Sequence, residues 1–480
     1  MKSLVYIAIY SFIVSWCGAN AQTLRLCPEN PRYLEFKGQP VILITSAEHY
    51  GAVVNLDFDY KKYLNTLAEE GFNYTRIFSG TYIEPVENIF GIRKNTLAPL
   101  TGRFISPWIQ ENGKFDPSRF NPLFFERMKD FTREAAGHGI IVEITLFTSI
   151  YAENAWALSP LNPLNHIHPA DTLEFHLVNT PGNGTLKDYQ ERFIRKVVRE
   201  MNGFDNIFYE IQNEPWADQG DLAGEVNLED DTVFTRSWQK KVEVANAKSM
   251  EWQAWVSSII RDEESKLQRK HLIAQNICNF GIKLGKVPEG VSILNFHYAH
   301  PEAVIMNRDL GVVTGLDETG FMPHEDQLYI NQAWRFVLSG GGLYNNLDYS
   351  FTAGNEDGTW PVPEENPGWG GPAFRKKLSL LVRTMEEVPF QEMEYTGNLF
   401  KGTEPFVRQY GLCKEGELYL VFVEGSRQVP LVPELPAGNY EVTWLNIQTG
   451  QRIQMRENLG NLAPIYAPFE ENEVVLMIRK

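Results

Sequence analysis

Between residues 39 and 387, short apolar runs rich in β-branched residues alternate eight times with longer amphipathic stretches. That repeat confines the chain to parallel strands joined by helices. Strands are expected at 40–46, 72–78, 140–147, 207–212, 271–276, 292–297, 312–316 and 342–347, and helices at 59–70, 122–137, 186–201, 250–266, 327–338 and 373–387. After the seventh strand, Ile330, Ala333, Trp334, Val337 and Leu338 recur at helical spacing and present one apolar face to the sheet. Eight such units close as a (β/α)8 TIM barrel. An open doubly wound sheet is the alternative, but no glycine-rich phosphate turn follows the first strand.

The pattern differs at both ends. Lys2, the apolar run from Leu4 to Trp16 and the small residues Gly18-Ala19-Asn20-Ala21 read as a signal peptide at 1–21, cleaved after Ala21. The run is shorter than the roughly 20 apolar residues of a membrane span, and no similar run follows, so no span is expected in the mature chain. The expected location is secreted or periplasmic. Lipid attachment at Cys17 is the alternative, which the bulky Trp16 before it disfavours. Tyr33 to Phe36 with the Lys37-Gly38 turn reads as a hairpin placed to plug the barrel bottom. Beyond about Gly397 the period changes to short alternating strands separated by Pro436-Ala437-Gly438 and Thr449-Gly450. The domains are therefore expected as a barrel over 22–392 and a β-sandwich over 393–480.

Cys27, Cys278 and Cys413 are too scattered to form a disulfide framework or a metal site. A formal net charge of −17 disfavours nucleic acid and anionic membrane surfaces as partners.

In a barrel of this kind, function sits on the loops after the strands, and those at 80–121, 148–185, 217–247 and 352–372 are long. Strand four ends in Glu210-Ile211-Gln212-Asn213-Glu214-Pro215-Trp216, and strand seven in Gly315-Leu316-Asp317-Glu318-Thr319-Gly320. Strands four and seven face each other across eight, so Glu214 and Glu318 meet at one end. Glycosidic cleavage needs such a pair: one carboxyl protonates the leaving oxygen while the other meets the oxocarbenium-like centre. Asp317 is the rival nucleophile, because a one-residue change of register exchanges the side chain that faces inward.

An Asn-Glu-Pro at the end of strand four and a glutamate at the end of strand seven resemble the clan A glycoside hydrolases, in particular cellulase-like, family 5-like barrels. The resemblance spans about 350 residues. It implies that Glu214 is the acid/base, Glu318 the nucleophile and Asn213 a partner of the sugar 2-hydroxyl. It also implies that Arg76, in Asn73-Tyr74-Thr75-Arg76-Ile77, keeps the nucleophile ionised, and that His297 and Tyr298 line the subsite. This chain carries Asp317 before the glutamate, where many relatives have another residue. The C-terminal segment around Gly438 to Trp444 resembles modules found beside cellulase-like barrels, for which a structural brace is as good a role as sugar binding.

His49 and Tyr50 are further sugar contacts by position, Asp348 a candidate hydroxyl binder, and Trp156 and Trp360 candidate stacking platforms. Glu210, on the same strand face as Gln212, reads as structural. His166 with His168, His297 with His300, and His324-Glu325-Asp326 lack a closed ligand set, so neither metal nor cofactor is expected. The sequence reading is thus a secreted retaining glycoside hydrolase acting on an oligosaccharide or polysaccharide. The alternatives are a catalytically silent glycan-binding barrel, or a transglycosylase using the same two glutamates. The loops after strands two and three are long enough to wall the cleft into a pocket, an arrangement that favours attack at chain ends.

Overall fold

The computed structural model describes residues 23–169, 173–225, 233, 235–460 and 463–480. The expected signal peptide, with Cys17, lies outside the described residues.

Eight parallel strands form the barrel: β1 (Leu43–Ala47), β2 (Tyr74–Phe78), β3 (Ile141–Thr148), β4 (Ile207–Asn213), β5 (Ile273–Asn279), β6 (Ile293–His297), β7 (Val313–Glu318) and β8 (Leu343–Leu347). Ladders run continuously from β2 through β3, β4, β5, β6, β7 and β8 to β1. The remaining seam, between β1 and β2, is closed by a side chain: Asn73 donates to the carbonyl of Ile42 and accepts from the N–H of Ile44, at 2.9 and 3.0 Å. Every strand residue is buried, since helices cover the outside and side chains fill the inside.

The outer coat is α1 (Tyr60–Glu69), α2 (Pro122–Gly137), α3 (Leu186–Met201), α4 (Ala247–Ser265), α5 (Pro301–Asn307), α6 (Asp326–Leu338) and α7 (Pro372–Glu386). Sequence sets their starts. Asp59, Asn121 and Asn246 accept hydrogen bonds from the first free N–H groups of α1, α2 and α4, each worth about 1 kcal/mol. Helix α5 is too short to show a period. The segment after β4 carries a hairpin, Gly220–Glu225 with Lys241–Ala245, which the sequence reading left as loop.

The barrel interior is layered by the two-residue strand period. Its floor is apolar: Leu43, Tyr74, Ile141, Phe208, Ala274, Ile293, Val313 and Leu343 pack together with Leu24 and Leu34. Leu34 belongs to the expected hairpin, Leu34–Phe36 with Gln39–Val41, which plugs the bottom. Two residues further along the strands the layer is polar: Arg76, Glu143, Glu210, Asn276, Asn295 and Asn345 are all buried. β7 contributes Gly315 here, and a Cβ on it would meet the amide oxygen of Asn295 at 2.4 Å.

Antiparallel strands begin at Glu394–Thr396 and build a six-stranded sheet, faced by the two-stranded pair Phe400–Lys401 and Val432–Pro433. The last strand, Glu473–Arg479, lies inside this sheet between Leu418–Glu424 and Gly438–Asn446. One sheet face holds Leu420, Phe422, Val475 and Met477 in the same apolar cluster as the barrel helices, with Phe422 stacked on Trp334 of α6. Arg335 and Asn331 of α6 donate to the buried Glu424 across the same seam. The other face, with Trp444 and Tyr440, forms a separate core. The sandwich therefore braces the barrel and spends these aromatics on its own interior. Among the described residues Cys27, Cys278 and Cys413 are free thiols.

Candidate active site

The barrel mouth is shaped by departures from regular strand geometry. Where β7 pairs β6, Phe296 faces Leu316 but His297 faces Glu318, which leaves Asp317 as an extra, bulged residue. A bulge breaks the alternation of side chains, so both acids turn inward, one above the other. Tyr50, Glu214, Phe280, Tyr298 and Phe321, each just beyond a strand, have φ between 48° and 61°. That left-handed backbone is costly for residues with a Cβ and gathers at functional sites. At Glu214 the peptide is fixed by its N–H, which donates to Asn276 at 3.0 Å.

Asp317 lies below, in the polar layer and fully buried. It stands 3.4 Å from Arg76 and 3.3 Å from Nε2 of His297, and it accepts from Asn276 and Asn295 at 3.1 and 3.0 Å. Burial alone would raise its pKa, but His297 and Arg76 hold it well below the usual carboxylate range. Glu318 lies above, at the floor of the mouth. It accepts from the Tyr298 hydroxyl at 2.8 Å and sits 3.6 Å from both Nη1 of Arg76 and Nδ1 of His297. Burial pushes its pKa up to about 6, against the pull of His297, and the charge of Glu214 adds to the rise.

Glu214 accepts hydrogen bonds from Nδ1 of His297 at 3.0 Å and from Tyr151 at 2.8 Å, and shares with Glu318 the Tyr298 hydroxyl, 2.9 Å away. Burial raises its pKa, but the His297 ring and the two phenols outweigh burial and hold it below its ordinary value. His297, wedged between three carboxylates, is held protonated well above its usual pKa in spite of burial, chiefly by Glu318 and Asp317. An oxygen of Glu214, a ring nitrogen of His297 and an oxygen of Glu318 all lie within 4.8 Å of one another. These three could also chelate a cation. A second set, Glu143, Glu210 and Asp317, is already occupied by Arg76, Tyr74, Asn276 and Asn295.

Arg76 ties the layers together. It bonds Glu210 and Thr145 and donates to Oδ1 of Asn213 at 2.8 Å, with its guanidinium 4.6 Å from the Tyr50 ring. Asn213 in turn donates to the Tyr151 hydroxyl at 2.8 Å. Trp216 packs edge-on against His297, 5.2 Å between ring centres.

A pocket opens above these groups, with about 390 Å3 of space that includes the open solvent at its mouth. Of the residues singled out in the sequence, His49, Tyr50, Asn213, Glu214, Tyr298 and Glu318 line it, while Arg76 and His297 stand beneath and touch its carboxylates. Three stand elsewhere. Asp348 is fully buried, and its oxygens are taken by Ser46, Ser350, the N–H of Gly371 and Arg375, leaving none for a sugar hydroxyl. Trp156 is buried in its loop with its indole N–H donated to the carbonyl of Leu173. Trp360 lies outside the pocket, its ring beneath Lys94.

The sequence reading missed Tyr82, Glu84, Phe90, Tyr151 and Phe321, all of which line the pocket. They belong to long loops with no period to place them. Glu143 was missed too, although a lone acid inside Ile141-Val142-Glu143-Ile144 is a legible signal of a polar interior layer.

No family model matches the chain, and no curated protein does. Its fold is that of solved glycoside hydrolase structures. One, a glycoside hydrolase family 5 from Bacteroides vulgatus, is 12% identical with a TM-score of 0.63, over 95% of this chain and 93% of that chain. Another, described as a glycoside hydrolase, is 11% identical with a TM-score of 0.64, over 96% of this chain and 97% of that chain. At these identities the likeness is one of fold: a (β/α)8 barrel followed by a small antiparallel β-sandwich.

Proposed function

We propose that this protein is a secreted glycoside hydrolase that cleaves O-glycosidic bonds with retention of configuration. The observation that carries the reading is the facing pair Glu214 and Glu318, with oxygens within 4.8 Å at the base of a pocket that opens at the barrel mouth. Retaining enzymes hold their carboxyls about 5–5.5 Å apart, and inverting ones about 6.5–9.5 Å to admit a water. The described fold-mates bear the name glycoside hydrolase. Secretion rests on the N-terminal apolar run alone. Among the described residues no helix is long and apolar enough to cross a membrane.

In this mechanism Glu318 attacks the anomeric carbon, and the bond to the leaving oxygen breaks as that oxygen takes a proton from Glu214. The resulting glycosyl ester is then hydrolysed by a water that gives its proton back to Glu214. Arg76 and Tyr298 stabilise Glu318 as the attacking and later as the departing carboxylate. The proton needed on Glu214 is stored next to it, on Nδ1 of His297 at 3.0 Å. As the leaving oxygen displaces the phenols from Glu214, that proton crosses, and Asp317 stays ionised beneath the ring. Asn213, fixed by Arg76, offers its amide to the sugar 2-hydroxyl once Tyr151 releases it.

The test is trapping. A 2-deoxy-2-fluoro glycoside with an activated leaving group, drawn from a panel of sugars, should inactivate the protein and leave its mass on a peptide containing Glu318. Label on Asp317, or none with any sugar while polysaccharides are still cleaved, would refute the assignment.

A further inference from the structure

Resting on the glycosidase reading above, we infer that the site accepts a single terminal sugar and removes it from the non-reducing end of its substrate, because the loop after β2 seals the glycone side of the mouth. That loop is fastened at both flanks. On one, the side chain of Asn154 donates to the carbonyl of Glu87 at 3.5 Å, and the Phe90 ring meets Tyr151 edge-on at 5.2 Å. On the other, the N–H of Arg93 donates to Asn366 at 3.0 Å in the loop after β8, and Phe90 approaches Phe321 beyond β7 at 6.5 Å. The segment therefore crosses the mouth from the β3 side to the β7–β8 side. Its base is sealed too: a Cβ on Gly51, just past β1, would lie 2.3 Å from the carbonyl of Thr96, and Thr96 bonds the carbonyl of His49 at 3.0 Å.

Chemistry gives this wall its meaning. The sugar attacked by Glu318 carries its leaving group toward Glu214, so any further sugars on its non-reducing side would have to pass through the wall. Only the leaving-group side can continue into a chain. The wall is also equipped for hydroxyls. His49 lines the pocket, and both its ring nitrogens are buried without a hydrogen-bond partner, with a carboxylate oxygen of Glu84 at 3.6 Å. A buried ring left unsatisfied costs free energy unless a ligand meets it. His49 and Glu84 thus form a donor–acceptor pair for hydroxyls remote from the anomeric carbon, and they act as specificity-determining residues.

The experiment compares reducing-end-labelled oligosaccharides, with linkages chosen from the 4-nitrophenyl monosaccharides of either anomeric form that the protein cleaves, with the same oligosaccharides blocked by a 4,6-O-ethylidene group on the non-reducing sugar. The expected result is a ladder shortened one sugar at a time, free monosaccharide as the first product, and a loss of at least about 100-fold on blocking. Labelled fragments from internal cleavage, or blocked and free oligosaccharides cleaved at similar rates, overturn the inference and leave the glycosidase reading standing. If no glycoside is cleaved and no fluoro-sugar labels Glu318, the glycosidase reading fails and the inference falls with it.

Discussion

Glu214 and Glu318 share one phenol: the hydroxyl of Tyr298 lies 2.9 Å from an oxygen of the first and 2.8 Å from an oxygen of the second. It has a single hydrogen and can serve only one of them at a time. In the proposed reaction negative charge moves from Glu318 to Glu214, and this donor can follow it.

Tyr298→Phe is therefore expected to shift the pH profile as well as the rate. Glu318 must be ionised to attack, and burial sets its pKa at about 6. Wild-type kcat/KM should accordingly rise with pH through about 6 and fall again where His297 loses its proton, above its ordinary value. Removing the phenol destabilises ionised Glu318, so the acid limb should move to higher pH. A packing role alone would leave the limb in place.

Glu214→Gln should lose roughly 10²–10⁴-fold in turnover on sugars with an alcohol leaving group, the usual contribution of a general acid. A 4-nitrophenyl glycoside needs no proton to depart, so its first step should be spared and appear as a burst of nitrophenolate. Azide restoring turnover to Glu214→Ala would verify that the base of the second step had been removed. Equal losses on both kinds of leaving group would count against the assignment.

Glu318→Gln should stabilise the fold while abolishing activity. A folded-state pKa raised from 4.5 to about 6 means that the folded protein favours the protonated form. The stability this lends is complete below about 4.5 and is lost as pH rises through about 6. At pH 7.5 the substitution should gain about 2 kcal/mol, and near pH 4 almost nothing. Denaturant titrations at the two pH values measure the difference.

Asp348→Asn should behave as a structural variant. Its carboxylate holds Arg375, Ser46 and Ser350 together in the core. Weakening a buried ion pair from one side costs roughly 2–4 kcal/mol, so the melting temperature should fall, while KM for any cleaved glycoside stays unchanged. A raised KM in the folded fraction would restore Asp348 to the substrate.

The barrel was legible because parallel strands and their helices repeat with periods that survive in the residues themselves; all eight strands start within three residues of where the pattern places them. Glu214 and Glu318 were legible for the same reason, as polar ends of apolar runs. Whether Asp317 or Glu318 faces the mouth was not, because a bulge is a property of two paired strands and has no mark in either one. Asp348 and Trp156 misled for a related reason. Position at the end of a strand or in a loop says nothing of which neighbours claim a side chain, and both were claimed by their own surroundings. Tyr151 and Phe90 depend on how long loops cross in space, which no local pattern encodes.

The strand Glu473–Arg479, later in sequence than the two strands it lies between, sets a timetable for synthesis. Until it leaves the ribosome, Leu418–Glu424 and Gly438–Asn446 have no partner between them, and the flank of α6 that Phe422 covers stays open to solvent. The nascent barrel thus waits, one apolar side bare, for that strand. A stop codon that removed this strand would strip cover from the barrel as surely as a lesion within it, and would surface as aggregation before any change in activity could be measured.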